Sequence, residues 1–354
     1  MNSTPGSGTS RPESMKKILF VGGTTGGGVA TINNEVVAIF RGVGFRCHQL
    51  DTEKLKAKYP VVAAYMIGYL QLLWNIFKIR PQIVYLQCAQ TGYLHQSLFL
   101  LLAKLTGRET IAHFHAKANL KESCTILQFR KILFSRYYID KMILLTVPCR
   151  SSLTHNGWDK PTFVVPNFIN TDELPVEISP VRDREQILYL GRMDEEKGIF
   201  DILEIARRLP SEKFVFVGNF SDSKQEQKFT AEIGTLPNAS WLGPMYDRRK
   251  YDVLAASKFL LFPTRRDEFP MTLIEATLLG CIPLVNLVGS VGEIIIDGFN
   301  GYFITPDDHD GIITLIQTLN ANQDLQTISD NAEAYAREHF TSDGVKDHLL
   351  QFVG

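Results

Sequence analysis

From Lys16 onward the chain alternates short apolar runs with longer segments of helical periodicity. "KKILFVGG" is a nearly continuous apolar run closed by glycine, "VATINNEVVAIFRGVG" places apolar residues at intervals of three and four, and "FRCHQLD" is a second short run. This is a βαβ opening. Further strands are predicted at "QIVYLQ", "ETIAHFHA", "KMILLTV" and "TFVVPN", separated by helix-length segments such as "TGYLHQSLFLLLAKLTGR". Strands that are apolar along their whole length belong in a parallel sheet with both faces covered. After the polar, proline-containing "VVPNFINTDELPVEISPVRDRE" the alternation restarts, with strands predicted at "QILYLGR", "KFVFVGN", "ASWLG", "KFLLFPT", "CIPLVNL" and "GYFIT". The pattern predicts two wound α/β sheets with a boundary near Phe168 to Leu174. The opening "MNSTPGSGTSRPESM", residues 1–15, is polar and rich in small residues; it reads as a disordered leader or an expression remnant, without the apolar core of a signal peptide.

Open wound sheets bind ligands beyond the carboxyl ends of their strands, so two facing sheets place a site in the cleft between them. The chain's 354 residues, 45% of them hydrophobic, suffice for two cores. A formal net charge of -1 conceals an asymmetry: residues 1–168 carry 20 basic and 8 acidic side chains, whereas 169–354 carry 17 and 30, giving halves of +12 and -13. The basic half suits a phosphate-bearing or membrane-surface partner. Five widely spaced cysteines, with no CxxC pair, read as free thiols in a reducing compartment.

Candidate chemistry lies just after the strands. In "GGTTGGG", Gly22 to Gly28 follow the first strand and precede a helix, where small residues let backbone N–H groups approach a phosphate or sugar; Gly27 and Gly28 are the candidate donors. A plain tight turn is the alternative. A dinucleotide loop requires GxGxxG, and the nearest register, Gly26, Gly28 and Thr31, lacks the third glycine, although Asp51 at the end of the second strand keeps a nicotinamide reading open. "YLGRMDEEKGIF" places Arg192 past a strand and Lys197 at a helix entry, a favourable diphosphate site; a solvated turn in which Asp194, Glu195 and Glu196 pair with these cations is the competing reading. In "RRDEFPMTLIEATLLG", seven residues separate Asp267 at the strand exit from Glu275 within the helix, and both are predicted to face the cleft, where a carboxylate can accept vicinal sugar hydroxyls. Local pairing of Glu275 with Arg265 or Arg266 is the alternative. His113 and His115 end "TIAHFH"; no third metal ligand stands near them in sequence. "VGSVGEIIIDGFNG" is predicted as turns shaped by Glu293 and Asp297-Gly298.

These residues resemble the retaining glycosyltransferases of family 4, whose signature is an acidic residue, seven residues, then Glu; here it stands as "DEFPMTLIEAT". The likeness extends from Lys16 almost to the end through "LGRMDEEKG", "VVPNFIN", "VFVGN", "ASWLGPM", "GCIPLVN", "VGSVGEIIIDGFNGYFI" and "AREHFTSDGVKDHLLQFV". It implies the GT-B fold: an N-terminal Rossmann-like acceptor domain over 16–168, a C-terminal donor domain over 169–340, and a final helix, about 341–354, returning to the first. It also implies that Arg192 and Lys197 hold the donor's diphosphate with backbone donors at Met271 and Thr272, that Glu275 holds the ribose, that Asp267 holds the transferred sugar, and that His115 contacts sugar and phosphate. Pro270 stands where many relatives have glycine, and Asp267 stands where Glu is usual. Glu268 falls one residue late for the spacing and is expected to face solvent. The reaction implied is retaining glycosyl transfer from a nucleotide diphosphate sugar without metal or other cofactor, the departing phosphate taking the acceptor's proton. A non-catalytic nucleotide-sugar-binding or scaffold relative would carry the same motifs.

On the acceptor side, "YPVVAAYMIGYLQLLWNIF", residues 59–77, is uncharged and flanked by Lys54, Lys56 and Lys58 and by Lys78 and Arg80. Three readings stand: a buried helix, a membrane-surface helix and a true span, the last weakened by Pro60, Gly68, Gln71 and Asn75. Residues 104–150 add nine basic and three acidic side chains, among them Lys117, Lys121, Arg130, Lys131 and Arg136. The expected acceptor is a glycan or a lipid-linked molecule in surface polysaccharide, lipopolysaccharide or glycolipid assembly. The expected location is cytoplasmic, at the inner face of an anionic membrane, with no nucleic-acid partner.

Overall fold

The computed structural model describes residues 16–24, 27–90, 92–115, 120–121, 124–174, 179–321 and 324–353. The predicted leader, Thr25 and Gly26 of the first loop, and Lys117 lie outside them. The first unit runs β1 (Lys17–Gly22), α1 (Gly27–Gly42), β2 (Arg46–Asp51), α2 (Thr52–Lys58), α3 (Val61–Ile79), β3 (Ile83–Ala89), α4 (Tyr93–Leu105), β4 (Glu109–His115), α5 (Ile126–Phe134), β5 (Lys141–Leu144), α6 (Val147–His155) and β6 (Thr162–Val164). The second runs β7 (Gln186–Leu190), α7 (Ile199–Arg208), β8 (Lys213–Val217), α8 (Ser223–Ile233), β9 (Ala239–Trp241), α9 (Asp247–Ala255), β10 (Ser257–Phe262), α10 (Met271–Leu278), β11 (Ile282–Asn286), α11 (Val291–Ile294), β12 (Tyr302–Ile304), α12 (His309–Asn320) and α13 (Leu325–His339); α14 (Ser342–Leu350) follows.

Both sheets are parallel, with orders β2-β1-β3-β4-β5-β6 and β12-β11-β10-β7-β8-β9. Successive side chains along a strand point to opposite faces, which is why the apolar runs supply two cores at once. Leu19, Val21, Val84, Leu86, Ala112 and Phe114 pack beneath α3, α4 and α5. The alternate residues Ile18, Phe20, Ile83, Tyr85 and Ile111 pack beneath α1 and α14. Gly68 sits where α3 meets α4: a Cβ there would stand 2.9 Å from the Phe99 ring.

The final helix belongs to the first sheet. Val345 and Leu349 of α14, with Phe352 beyond it, join the core of Phe20, Phe40 and Tyr85, and Phe352 has no exposed surface. The chain therefore crosses between the units twice, and the crossings run side by side: Ile169 N donates to Phe340 O at 2.9 Å and Ser342 N to Ile169 O at 3.0 Å. Strand order reverses between β1 and β3 in one sheet and between β7 and β10 in the other. Those reversals are the crevices where such folds bind ligands.

The segment predicted as turns after β11 contains the one-turn helix α11, whose Val291 and Ile294 are buried. Apolar anchoring at positions three apart is enough to wind it. Asp297 and Gly298 form the turn expected of them, with a bridge from Asp297 to Gly301 and φ of 73° at Gly298.

Candidate active site

The loops after β7 and β10 meet at the second sheet's crevice. Asp194 caps the turn after β7 by accepting from Lys197 N at 3.0 Å, and this fixes the start of the Lys197 side chain. Lys197 Nζ then reaches across to Asp267 Oδ2 and Arg266 O, each at 2.7 Å. Arg192 pairs with Asp194 and stays exposed. The competing reading of the turn thus holds for Arg192 and not for Lys197, whose carboxylate partner comes from the other loop. Among the described residues no side chain caps α10, which leaves the N–H groups of its first turn, at Met271 and Thr272, without an intrahelical acceptor.

A cleft of about 1040 Å³ opens over this crevice, lined from the second unit by Arg192, Lys197, Asp267 and Met271 and from the first by His115 and Asn167. His115 stacks on His113 with ring centroids 4.5 Å apart, and His113 Nδ1 engages the Tyr85 hydroxyl at 2.7 Å. His113 thus faces the sheet core while His115 faces the cleft. Burial lowers the pKa of His115 to about 4 and holds that of His113 well below its ordinary value, so both rings are neutral at neutral pH. His115 Nε2 and Asn167 Oδ1 are buried with no hydrogen-bond partner among the described residues, two polar atoms available to a ligand at the cleft wall.

Two expectations are corrected here. Glu275 does not line this cleft; it lies 7% exposed on the α9-facing side of α10, where its Oε1 accepts from Lys250 Nζ at 2.6 Å. Together they line a smaller cavity of about 290 Å³, with Thr31 and Asn170, and Met271 lines both spaces. Met271 and Glu275 are four residues apart and stack on one side of α10, Met271 at the border of the two spaces and Glu275 one turn further from the loop that aims Asp267. Arg265, proposed as the local partner of Glu275, instead pairs with Asp201 and Asp307 at 2.6 Å each. Glu268, expected in solvent, is half-buried and lines the cleft, because its backbone is drawn inward: its carbonyl accepts from Ser290 N at 2.9 Å.

The first loop settles another question. Asp51 accepts from Glu53 N and Lys54 N, both at 3.0 Å, as the cap of α2, and also binds the Thr24 hydroxyl. The carboxylate that kept the nicotinamide reading open is occupied as a helix cap. Gly27 and Gly28 open α1. Asn167 and Lys250 were missed by sequence reasoning. Asn167 stands in "VVPNFIN", where its position after a strand was the available signal; nothing in the local pattern around Lys250 announces a partner 25 residues on.

Residues 170–339 match the model of the glycosyl transferases group 1 family. Among curated proteins, an uncharacterized glycosyltransferase of Methanocaldococcus jannaschii is 26% identical over 56% of this chain and 55% of its own length. The lipopolysaccharide 1,2-N-acetylglucosaminetransferase of Salmonella typhimurium is 24% identical over 49% of each. The alpha-galactosylglucosyldiacylglycerol synthase of Streptococcus pneumoniae is 25% identical over 70% of each. The chain spans about half the length of the first two. Among solved structures, Anabaena HepE in complex with UDP superimposes with a TM-score of 0.73 at 16% identity, covering 96% of this chain and 99% of that one. A glycosyltransferase from Rickettsia africae gives 0.75 at 16%, covering 96% and 98%. Residues 170–339 thus match the glycosyl transferases group 1 family, and the two sheets take up the GT-B fold of solved glycosyltransferases.

Proposed function

We propose that the chain transfers a glycosyl group from a nucleotide diphosphate sugar to an acceptor hydroxyl, with retention at the anomeric carbon and without a metal ion. The observation that carries this reading is the Lys197–Asp267 pair at the β7/β10 crevice, across the cleft from His115. In the reaction the bond from anomeric carbon to phosphate oxygen breaks, and a bond from the same carbon to the acceptor oxygen forms. The acceptor's proton passes to the departing diphosphate. Arg192, Lys197 and the N–H groups of Met271 and Thr272 supply the positive field for the charge growing on that diphosphate. Asp267 releases Lys197 to the phosphate and turns to the sugar hydroxyls. His115, neutral, offers Nε2 to sugar or phosphate. Glu275 accepts the ribose hydroxyls from the adjoining cavity, where burial raises its pKa and the Lys250 ammonium opposes that rise. Gly27 and Gly28 offer the backbone N–H groups at the start of α1 to the donor.

The acceptor class we infer is a glycan or lipid-linked molecule of surface polysaccharide, lipopolysaccharide or glycolipid assembly, made at the cytoplasmic face of a membrane. Its support is the basic first half and the names of two relatives, a lipopolysaccharide transferase and a glycolipid synthase. The test is thermal denaturation with UDP-, GDP-, ADP- and CMP-sugars. One donor is expected to raise the transition, by about 2.7 kcal/mol when present at a hundredfold its dissociation constant, and Glu275→Ala to abolish the effect. Stabilisation without donor hydrolysis or transfer to any acceptor would instead make the chain a binding subunit. No stabilisation by any donor would overturn the reading.

A further inference from the structure

Helix α3 is apolar on both sides, and the sheet uses only one. Ala64, Gly68, Leu72 and Ile76, spaced by four, are buried. On the opposite side Val62, Met66, Leu70, Trp74 and Phe77 form a second stripe at the same pitch and are 58–78% exposed. A water-facing helix surface has no use for five large apolar side chains in register. The helix is long and apolar enough to cross a membrane, with mean hydropathy 1.3, yet Leu72 and Ile76 are fully buried in the same core as Val84 and Phe114. A span would strip them from that core, so the outer stripe is the part left for a partner.

The neighbouring surface has the same character. Helices α3, α4 and α5 pack over one face of the first sheet, and α5 exposes Ile126, Leu127 and Phe134 together with Arg130 and Lys131. Exposed Lys54 and Lys58 precede α3, and exposed Lys78 and Arg80 end it. Apolar and aromatic side chains bordered by cations match an anionic lipid surface, where the rings enter the headgroup layer and the ammonium and guanidinium groups meet phosphate. Leu94 of α4 and Lys131 of α5 also line the large cleft, so the surface runs to the mouth of the candidate site.

We propose that the outer faces of α3 and α5 dock on an anionic membrane, with α3 lying in the interfacial plane and the cleft mouth held at the lipid surface. Docking there delivers an acceptor anchored in that membrane, a deepening that rests on the glycosyl-transfer reading. The test is co-flotation of the full chain at low salt with phosphatidylcholine vesicles, with and without phosphatidylglycerol, alongside the tryptophan fluorescence, in which Trp74→Phe separates the exposed Trp74 from Trp158 and Trp241. The wild type is expected to float with the anionic vesicles, less so as salt rises, with a blue shift on binding. Leu70→Glu combined with Trp74→Glu, both at exposed positions, is expected to weaken flotation by about tenfold or more, and Lys78→Glu with Arg80→Glu to remove the preference for anionic lipid. Donor stabilisation, read on the same samples, reports the active site separately: flotation without it keeps the docking face and sinks the transferase reading, and the reverse sinks the docking face. A wild type that stays unbound with anionic vesicles, or a Leu70/Trp74 variant that floats equally well, overturns the proposal. So does a wild-type dimer that this variant converts to monomer without any vesicle binding, which would assign the stripe to a second copy of the chain.

Discussion

At the scale of single residues, the candidate site is a set of charges held by partners that a substrate can replace. Lys197 is half of an ion pair, and Arg192 leans on Asp194 from an exposed position. Replacing either cation with alanine is expected to slow transfer by about 10²- to 10³-fold, the range seen when one group that stabilises developing charge is removed. Steady-state kinetics with the donor found by thermal denaturation checks this, and unchanged turnover in both variants would remove them from the mechanism. The two histidines predict a different observable. Burial holds both folded pKa values below the ordinary 6.5, that of His115 at about 4. The unfolded chain therefore takes up protons that the fold refuses as pH falls through 6.5, so stability falls over the window from 6.5 toward 4. Urea midpoints measured across that window should decline, with a shallower decline in His115→Gln.

Among elements, the contacts between loops and helices decide what the charges can reach. Gly289 adopts φ of 55°, and a Cβ there would stand 2.1 Å from Asp267 O, so this turn braces the loop carrying Asp267 and Glu268. Gly289→Ala should displace that loop; a displacement of the order of an ångström at a reacting group costs about a hundredfold in rate, with little change in secondary structure by circular dichroism. Between α9 and α10, Lys250 neutralises Glu275 in a cavity that raises the carboxyl's pKa by burial. In Lys250→Ala that pKa rises further, and donor-induced stabilisation should persist only at higher pH, where the carboxylate still forms; an unaltered pH profile would assign Glu275 to packing. These dependencies also mark what sequence could convey. Parallel strands were legible because runs such as "ILFV" and "FVFV" are apolar on both faces, and Asp267, Lys197 and His115 because they stand at strand exits. Periodicity could not say that Glu275 turns toward α9, that Glu268 is pulled into the cleft by Ser290, or that four residues wind α11. The first two outcomes are set by residues more than twenty positions away, Lys250 for Glu275 and Ser290 for Glu268.

For the molecule as a whole, the division of charge into a basic and an acidic half follows the two sheets, and the last helix crosses that division. Phe352 is fully buried among Phe40, Tyr85 and Phe163 of the first unit. Its replacement by alanine is expected to cost about 3–5 kcal/mol, measured as a lower denaturant midpoint, even though the residue lies far from either cavity in sequence. The first unit cannot complete the lower layer of its core without the end of the chain, so the basic half becomes fully stable only once the acidic half has been made. Helix periodicity near residue 345 gives no indication of which sheet the helix joins; the family resemblance supplied its return to the first unit, where Val345, Leu349 and Phe352 are packed.

The paired crossings at Ile169 and Phe340 to Ser342 have a further consequence for the integrity of the covalent chain. A protein whose halves share one linker falls in two when that linker is cut. Here a cut in the first crossing leaves two fragments of which the second still ends in a helix embedded in the first. The severed halves remain one particle, tethered by burial instead of by a peptide bond.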